Sequence, residues 1–286
     1  MLFTIMQLPN PQIGEWFSKL VHWLETVLDP VFVGIRTSLR FTIANLEWLL
    51  NITDELFDIP SFWFVAIVLG LLAWKLSGRG VALFSVLGIM VIASMGLWGA
   101  AVRTLALIIM STLVALTIGI PTGILAGKFK AVNTAIRPVL DFMQTLPAFV
   151  YLIPAAIFFR IGVVPAVIAT IIFAMPPAIR LTNLGIRQVP VELIEAGEAF
   201  GSSSMQLLFK VQLPQAMPTI MAGVNQCIML ALSMVVITSL IGGGGLGSVV
   251  MTGVSRMDVG QSFEGGLAVV IIAIILDRLT QGQEKK

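Results

Sequence analysis

The chain has 286 residues, 57% of them hydrophobic and only 11% charged, with a mean hydropathy of +0.99; soluble domains carry about 25% charged residues. A net charge of +2 is too small to hold a nucleic-acid backbone, and the only basic run is the terminal Lys285-Lys286. A single cysteine, Cys227, excludes an internal disulfide, and its apolar surroundings make it a packing residue. These values describe an integral membrane protein.

No cleavable signal peptide is expected, because Pro9, Asn10 and Pro11 interrupt the first apolar stretch. Residues 1–58 are amphipathic rather than spanning. Trp16, Phe17, Leu20, Val21, Trp23, Leu24, Val27 and Leu28 recur at helical spacing opposite Glu15, Ser18, Lys19, His22 and Glu25, the pattern of an interfacial helix. A second such helix is expected around 31–50. His22, the only histidine, belongs to the solvated face.

A span needs about 20 largely apolar residues at about 1.5 Å rise each. Candidates follow at 60–76, 81–98, 101–126, 141–159, 163–180, 217–240 and 263–279. The fourth and fifth contain Pro147, Pro154, Pro165, Pro176 and Pro177, tolerated where neighbouring helices or water satisfy the freed backbone groups. Trp63, Trp74 and Trp98 lie near span ends, as an aromatic belt would place them, and no tryptophan follows. The chain therefore divides into an interfacial or extracytoplasmic segment (1–58), two peripheral spans (59–99) and a working core (100–282) containing a polar loop at 182–216. Seven spans put the ends on opposite sides. With the loop around Glu195 inside, eleven of the 17 lysines and arginines are inside and six outside, which places the N-terminus out and the C-terminus in.

Within the third span Gly119, Gly123 and Gly127 form a small-residue line that lets another helix approach, with a hinge at Pro121 as the sharper option. In 182–216, Pro190 restricts what precedes a short helix bearing Glu192, Glu195 and Glu198. Gly201 supplies its stop, and Ser202, Ser203 and Ser204 supply caps for a second helix. Phe200, Leu207, Leu208 and Phe209 offer apolar knobs. Charged residues are nearly absent from the span middles, which argues against a proton relay or ion site. A solute would meet Gln144, Thr145, Phe149 and Tyr151 of the fourth span and Asn225, Gln226 and Ser233 of the sixth, each with packing as the plainer role. The run Gly242–Gly247 lacks the lysine ending of a phosphate loop and reads as a flexible exit from the sixth span. No Walker motif, metal-ligand set or catalytic triad is present, so an intramembrane enzyme lacks its constellation.

Glu195-Ala196-Gly197-x3-Gly201, followed by Val211-x-Leu213-Pro214, resembles the cytoplasmic EAA loop of type I ABC-importer permeases, with glycine at the third position in place of alanine. The strings Asp141–Pro154, Phe173–Arg180, Phe209–Pro214, Ile228–Val236 and Ile274–Gln281 resemble bacterial glycine betaine/L-proline uptake permeases over roughly residues 60–282. The resemblance implies a five-helix permease core in an all-α bundle of a bacterial inner membrane, importing compatible solutes in osmoprotection. It also implies two cytoplasmic ATPase subunits carrying ATP and Mg, a second permease copy, and an external solute-binding protein. Glu192, Glu195, Ala196, Gly197, Gly201, Leu213 and Pro214 would then form the ATPase-coupling element, and this chain would bind no cofactor or metal. The alternative, an ion-gradient-driven carrier of a small zwitterion, requires inverted repeats and embedded carboxylates that the pattern lacks.

The topology has a direct test. A cysteine introduced near Ser202 is expected to react with impermeant thiol reagents only from the cytoplasmic side, and one near Ser18 only from outside; labelling of both from one side refutes the odd span count.

Overall fold

The computed structural model describes residues 61–284, a helix over 29–45 and isolated positions among the remaining first 60. The amphipathic segment expected at 15–28, His22 included, lies largely outside the described residues. The second helix is present as α1, residues 29–45. Leu39 and Ile43 bury its inner face, and Phe32 sets its ring 5.1 and 5.0 Å from those of Phe158 and Phe159.

α2 (Ser61–Ser77) and α3 (Arg79–Ser94) form a hairpin closed at Gly78, whose φ of 99° suits only glycine. α4 (Trp98–Lys128) is followed by α5 (Lys130–Thr145), a 3-10 turn (Ala148–Tyr151) and α6 (Leu152–Phe159). α7 (Val163–Arg187) leads into the short helices α8 (Val191–Ala199) and α9 (Ser204–Leu207). A π turn at Leu208–Gln212 joins α9 to α10 (Leu213–Thr238), and α11 (Gly245–Ser255) and α12 (Val259–Glu284) complete the chain. No strand occurs among the described residues.

Seven spans were expected. Among the described residues, four helical stretches are long and apolar enough to cross: α4, α7, the continuous Ser204–Ile241 stretch and α12. A fifth exists if the bent pair Lys130–Thr145 and Ala148–Phe159 counts as one crossing, while α2 and α3 are shorter apolar helices. The fourth element begins at Lys130, eleven residues before its expected start, and turns by 108° in its middle. Leu146 (φ −69°, ψ 133°) precedes Pro147 and takes the extended backbone that a following proline favours, which ends α5 there.

The glycine run differs from the flexible exit expected of it. Gly162 N–H donates to Ile241 O (2.8 Å) and Gly243 N–H to Thr238 O (3.1 Å). A Cβ on Gly245 would stand 2.4 Å from Thr104 Oγ1, and one on Gly247 2.6 Å from Val235 O. Leu246 N–H also donates to Thr104 Oγ1 (2.8 Å). The run is a packed turn that opens α11 against α4 and α10.

α7 lies between α4 and α10, and backbone approach is what brings the three together. Cβ atoms built on Gly119, Gly123 and Gly127 of α4 would stand 3.1 Å from Ala178 Cβ, 2.6 Å from Thr182 Cβ and 2.8 Å from Ile186 Cβ. On the other side, Gly185 of α7 meets Ala216 and Gly223 of α10 meets Leu181, each at 3.1 Å. Lipid gives no hydrophobic drive for helices to associate, so close van der Waals packing of this kind carries the assembly. α12 joins through Gly88 of α3, whose Cβ position is 2.5 Å from Ile271 Cγ2. Leu71, Leu83, Leu113 and Val270 remain exposed, as side chains facing acyl tails would.

Gly123→Ala is expected to destabilise by about 1–3 kcal/mol, because Ile179 O also stands 2.7 Å from the new methyl. Gly266→Ala in α12, with nothing within 4 Å, is expected to be neutral or to stabilise by up to about 1 kcal/mol. Thermal unfolding of the two variants in detergent checks the contrast.

Candidate coupling site and transport pathway

The 182–216 segment is more helical than a loop: α7 runs to Arg187 and α10 begins at Leu213. Between them α8 and α9 form a tight, projecting hairpin. Pro190 caps α8 with an extended backbone, and Glu192 in the first turn faces the positive end of the helix. At the other end Gly201 has φ +76°, Gly201 N–H donates to Glu198 O (2.8 Å) and Ser202 N–H to Gly197 O (3.0 Å). This 5→2 and 6→1 pair is a Schellman stop, which needs a left-handed residue at its turn. Ser203 then closes a capping box on α9: its Oγ accepts from Gln206 N–H (3.3 Å), and Gln206 Oε1 accepts from Ser203 N–H (2.8 Å).

The hairpin offers its chemistry outward. Glu192, Glu195 and Ala196 are exposed, and no α8 residue is buried. Phe200, the C-cap of α8, is 90% exposed, and Met205 and Phe209 of the segment that follows are also exposed. Gly197, half-buried, faces α9: a Cβ there would lie 2.6 Å from Leu207 Cδ1, so an alanine must push that methyl aside. Leu213 packs inward with Ile186, Leu208, Ala216 and Ile220, and Pro214 is exposed at the first turn of α10. Pro214 has no N–H for the carbonyl four residues back, and the preceding turn widens so that Leu213 N–H donates to Leu208 O.

The pathway candidates fall into two groups. Gln144, Thr145 and Phe149 are exposed and gather at the α5–α6 bend. Gln226 and Ser233, seven residues apart, are exposed on one face of α10, with Ser233 Oγ donating to Met229 O (3.0 Å). Tyr151 instead turns inward: it is buried, its ring edge-on to Phe173 at 5.9 Å, and its hydroxyl donates to Met143 O. Asn225 joins α10 to α12, giving Nδ2–H to Asp277 Oδ1 (3.3 Å) and accepting at Oδ1 from Thr280 Oγ1 (2.7 Å). Gln281 Nε2 also donates to Asp277 Oδ1, at 2.7 Å. The Asp277 carboxylate of α12 is thus engaged by two amides.

Sequence reasoning missed the ion pair of Arg180 with Asp141 and the hydrogen bond donated by Asn183 Nδ2 to Asn133 Oδ1 (2.7 Å), which tie α5 to α7. Beside them lies a cleft of about 620 Å³ lined by Lys130, Arg137, Arg180 and Arg187. No local pattern announces a pair 39 residues apart.

A family model for the binding-protein-dependent transport system inner membrane component matches residues 119–286, more than half of the chain. The chain belongs to this family. It is 47% identical over 280 residues to the glycine betaine transport system permease protein OpuAB of Bacillus subtilis, covering 98% of this chain and 97% of that one. It is 48% identical over 269 residues to the glycine betaine/proline betaine transport system permease protein ProW of Escherichia coli, covering 94% and 74%. In fold it is similar to a chain of the inward-facing MetNI methionine ABC transporter, with a TM-score of 0.59 at 20% identity over 64% of this chain and 92% of that one. The permease is therefore the multi-pass inner-membrane component of an ABC importer, and ATP hydrolysis belongs to a separate subunit.

A side chain at Gly201 must enter the left-handed region, at about 1–2 kcal/mol. Gly201→Ala is expected to loosen the hairpin, seen as faster proteolysis at 200–204, whereas Gly201→Asn, which tolerates that region, is expected to stay close to the parent.

Proposed function

We propose that the permease imports glycine betaine and related compatible solutes, with the α8–α9 hairpin as the seat of the ATPase. The observation that carries this reading is the hairpin itself: an exposed acidic helix ending in a bare Phe200, built on a Schellman stop and a capping box, in a chain nearly half identical to betaine permeases. Glu195 accepts charge-assisted hydrogen bonds from the partner, and Glu192, Ala196, Gly197 and Gly201 shape the helix it stands on. Leu213 and Pro214 fasten the hairpin to α10. Two ATPase subunits, each binding ATP and Mg, act on two copies of the permease, and a solute-binding protein delivers cargo from the opposite face. The hairpin end is cytoplasmic, which puts the C-terminus in and the N-terminus out.

Movement of the hairpin is transmitted without a joint, because Ser204–Ile241 is one continuous helical stretch of 38 residues. Closure of the ATPases therefore swings α10 and, through the Asn225–Asp277–Thr280 contacts, α12 with it. Gln144, Thr145 and Phe149 at the bend, with Gln226 and Ser233 of α10, face the second copy and line the route. A quaternary ammonium is held there weakly by an aromatic face. Tyr151 shapes the bend from behind.

Uptake in proteoliposomes is expected to require ATP, the ATPase and the solute-binding protein, and to survive collapse of Na⁺ and H⁺ gradients. Glu195→Ala is expected to insert and fold normally yet weaken coupling by about 1.5–3 kcal/mol, the scale of a lost charged hydrogen bond. Parental transport by Glu195→Ala, with normal ATPase association, sinks the role given to this residue; accumulation driven by an ion gradient alone sinks the importer reading.

A further inference from the structure

The end of the bundle opposite the hairpin carries arginines where membrane topology disfavours them. Cytoplasmic loops collect Lys and Arg, and outer ones are depleted of them. Yet the N-terminal end of α4, the α6–α7 turn and α1 bring four arginines to this end. Arg36 Nη2 donates to Phe158 O (3.3 Å), which fixes α1 across the end of α6. One turn on, Arg40 is exposed and lines, with Arg103, Gly162 and Gly242, a cavity of about 360 Å³. Gly244 (φ +78°) has no Cβ, and one built there would stand 2.7 Å from Arg103 Nε, so the glycine turn makes room for that guanidinium.

Arg160 adds an independent sign. It is exposed between α6 and α7 with φ 63° and ψ 174°, a backbone region populated almost only by glycine. Ile161 beside it is 75% exposed. A long cationic side chain held in strain at a projecting tip, where glycine would fit at no steric cost, indicates a contact outside the chain that uses it.

We propose that Arg40 and Arg160 form the dock for an acidic surface of the solute-binding protein. The reading rests on the importer assignment above, since the family is binding-protein-dependent and the dock stands at the end away from the ATPase seat. Guanidinium groups fork onto carboxylates with a geometry that steers and orients a partner. The cavity floor of glycine backbone leaves space for a carboxylate-bearing loop to enter. Phospholipid phosphates are the competing anion at this depth, and the test separates them.

The test uses the whole transporter in nanodiscs, with the cognate solute-binding protein loaded with glycine betaine. Arg40→Glu, Arg160→Glu and Arg160→Gly are compared; the last relieves the backbone strain and so removes the side chain without endangering the fold. Arg40→Glu and Arg160→Glu are expected to keep the parental melting temperature and Arg160→Gly to match or exceed it, and all three to weaken binding-protein affinity by about tenfold, mostly through slower association. The wild-type affinity is expected to fall as ionic strength rises from about 50 to 300 mM, and the variants' affinities to fall less steeply. Unchanged affinity with an unchanged salt dependence overturns the dock. So does loss of bound anionic phospholipid, read by native mass spectrometry, with affinity intact, which makes these arginines headgroup anchors. Wild-type transport that needs no binding protein overturns the importer reading, and the dock with it.

Discussion

Everything in this bundle depends on how closely α7 lies to α4 and α10. In a bilayer, apolar side chains gain nothing by leaving lipid for a helix interface, so contact has to come from backbones near enough for dense van der Waals packing. The sequence meets that demand with glycine on both sides of α7: Gly119, Gly123 and Gly127 on α4, Gly185 on α7 itself, and Gly223 on α10. The prolines of α7 share this logic. Pro176 and Pro177 are buried, and the carbonyls left without a helical N–H partner, those of Ile172 and Phe173 four residues back, are tolerated where neighbouring helices or water satisfy them. A core assembled this way is stiff, and stiffness is what a driven conformational change needs in its moving parts.

The hairpin is stiff for a different reason. It stands in water, where α9, with four residues, has no stability of its own. Its order comes from satisfied ends: the Schellman stop at Gly201, the Ser203–Gln206 box, and Leu207 and Leu208 buried beneath. The π turn before Pro214 then carries the helix on into the membrane without a loop. On the proposed reading, a partner that pushes on Phe200 and Glu195 pushes on α10.

Much of this was legible in the residues because it is written in local chemistry. The stop at Gly201, the serine caps and the long apolar stretches of α4, α7, α10 and α12 each follow from short-range rules of helix ends and hydropathy. What could not be read were features decided by distant partners. The glycine run looked like a flexible exit because nothing in Gly242–Gly247 reveals that Thr104 and Val235 will close on it. Tyr151 and Asn225 looked like free polar groups in an apolar setting, and only the fold shows Met143, Asp277 and Thr280 engaging them. The bend at Leu146 was signalled by Pro147, yet apolar composition continues through it and hydropathy alone draws one straight span.

The remaining step concerns where selectivity resides on the proposed reading. The exposed pathway candidates beside the bend and on α10 are two amides, two hydroxyls and an aromatic ring: Gln144, Gln226, Thr145, Ser233 and Phe149. None carries a formal charge, and no tryptophan follows Trp98 to build a strong cation cage. Such a surface compensates a zwitterion only partly, so it binds weakly and releases readily, which suits a route more than a receptor. Charge is kept instead largely to the two ends, with the acidic hairpin and the cleft of Lys130, Arg137, Arg180 and Arg187 at one, and Arg36, Arg40, Arg103 and Arg160 at the other. A permease built so takes its energy at one face and its cargo at the other, and leaves recognition to the protein that docks.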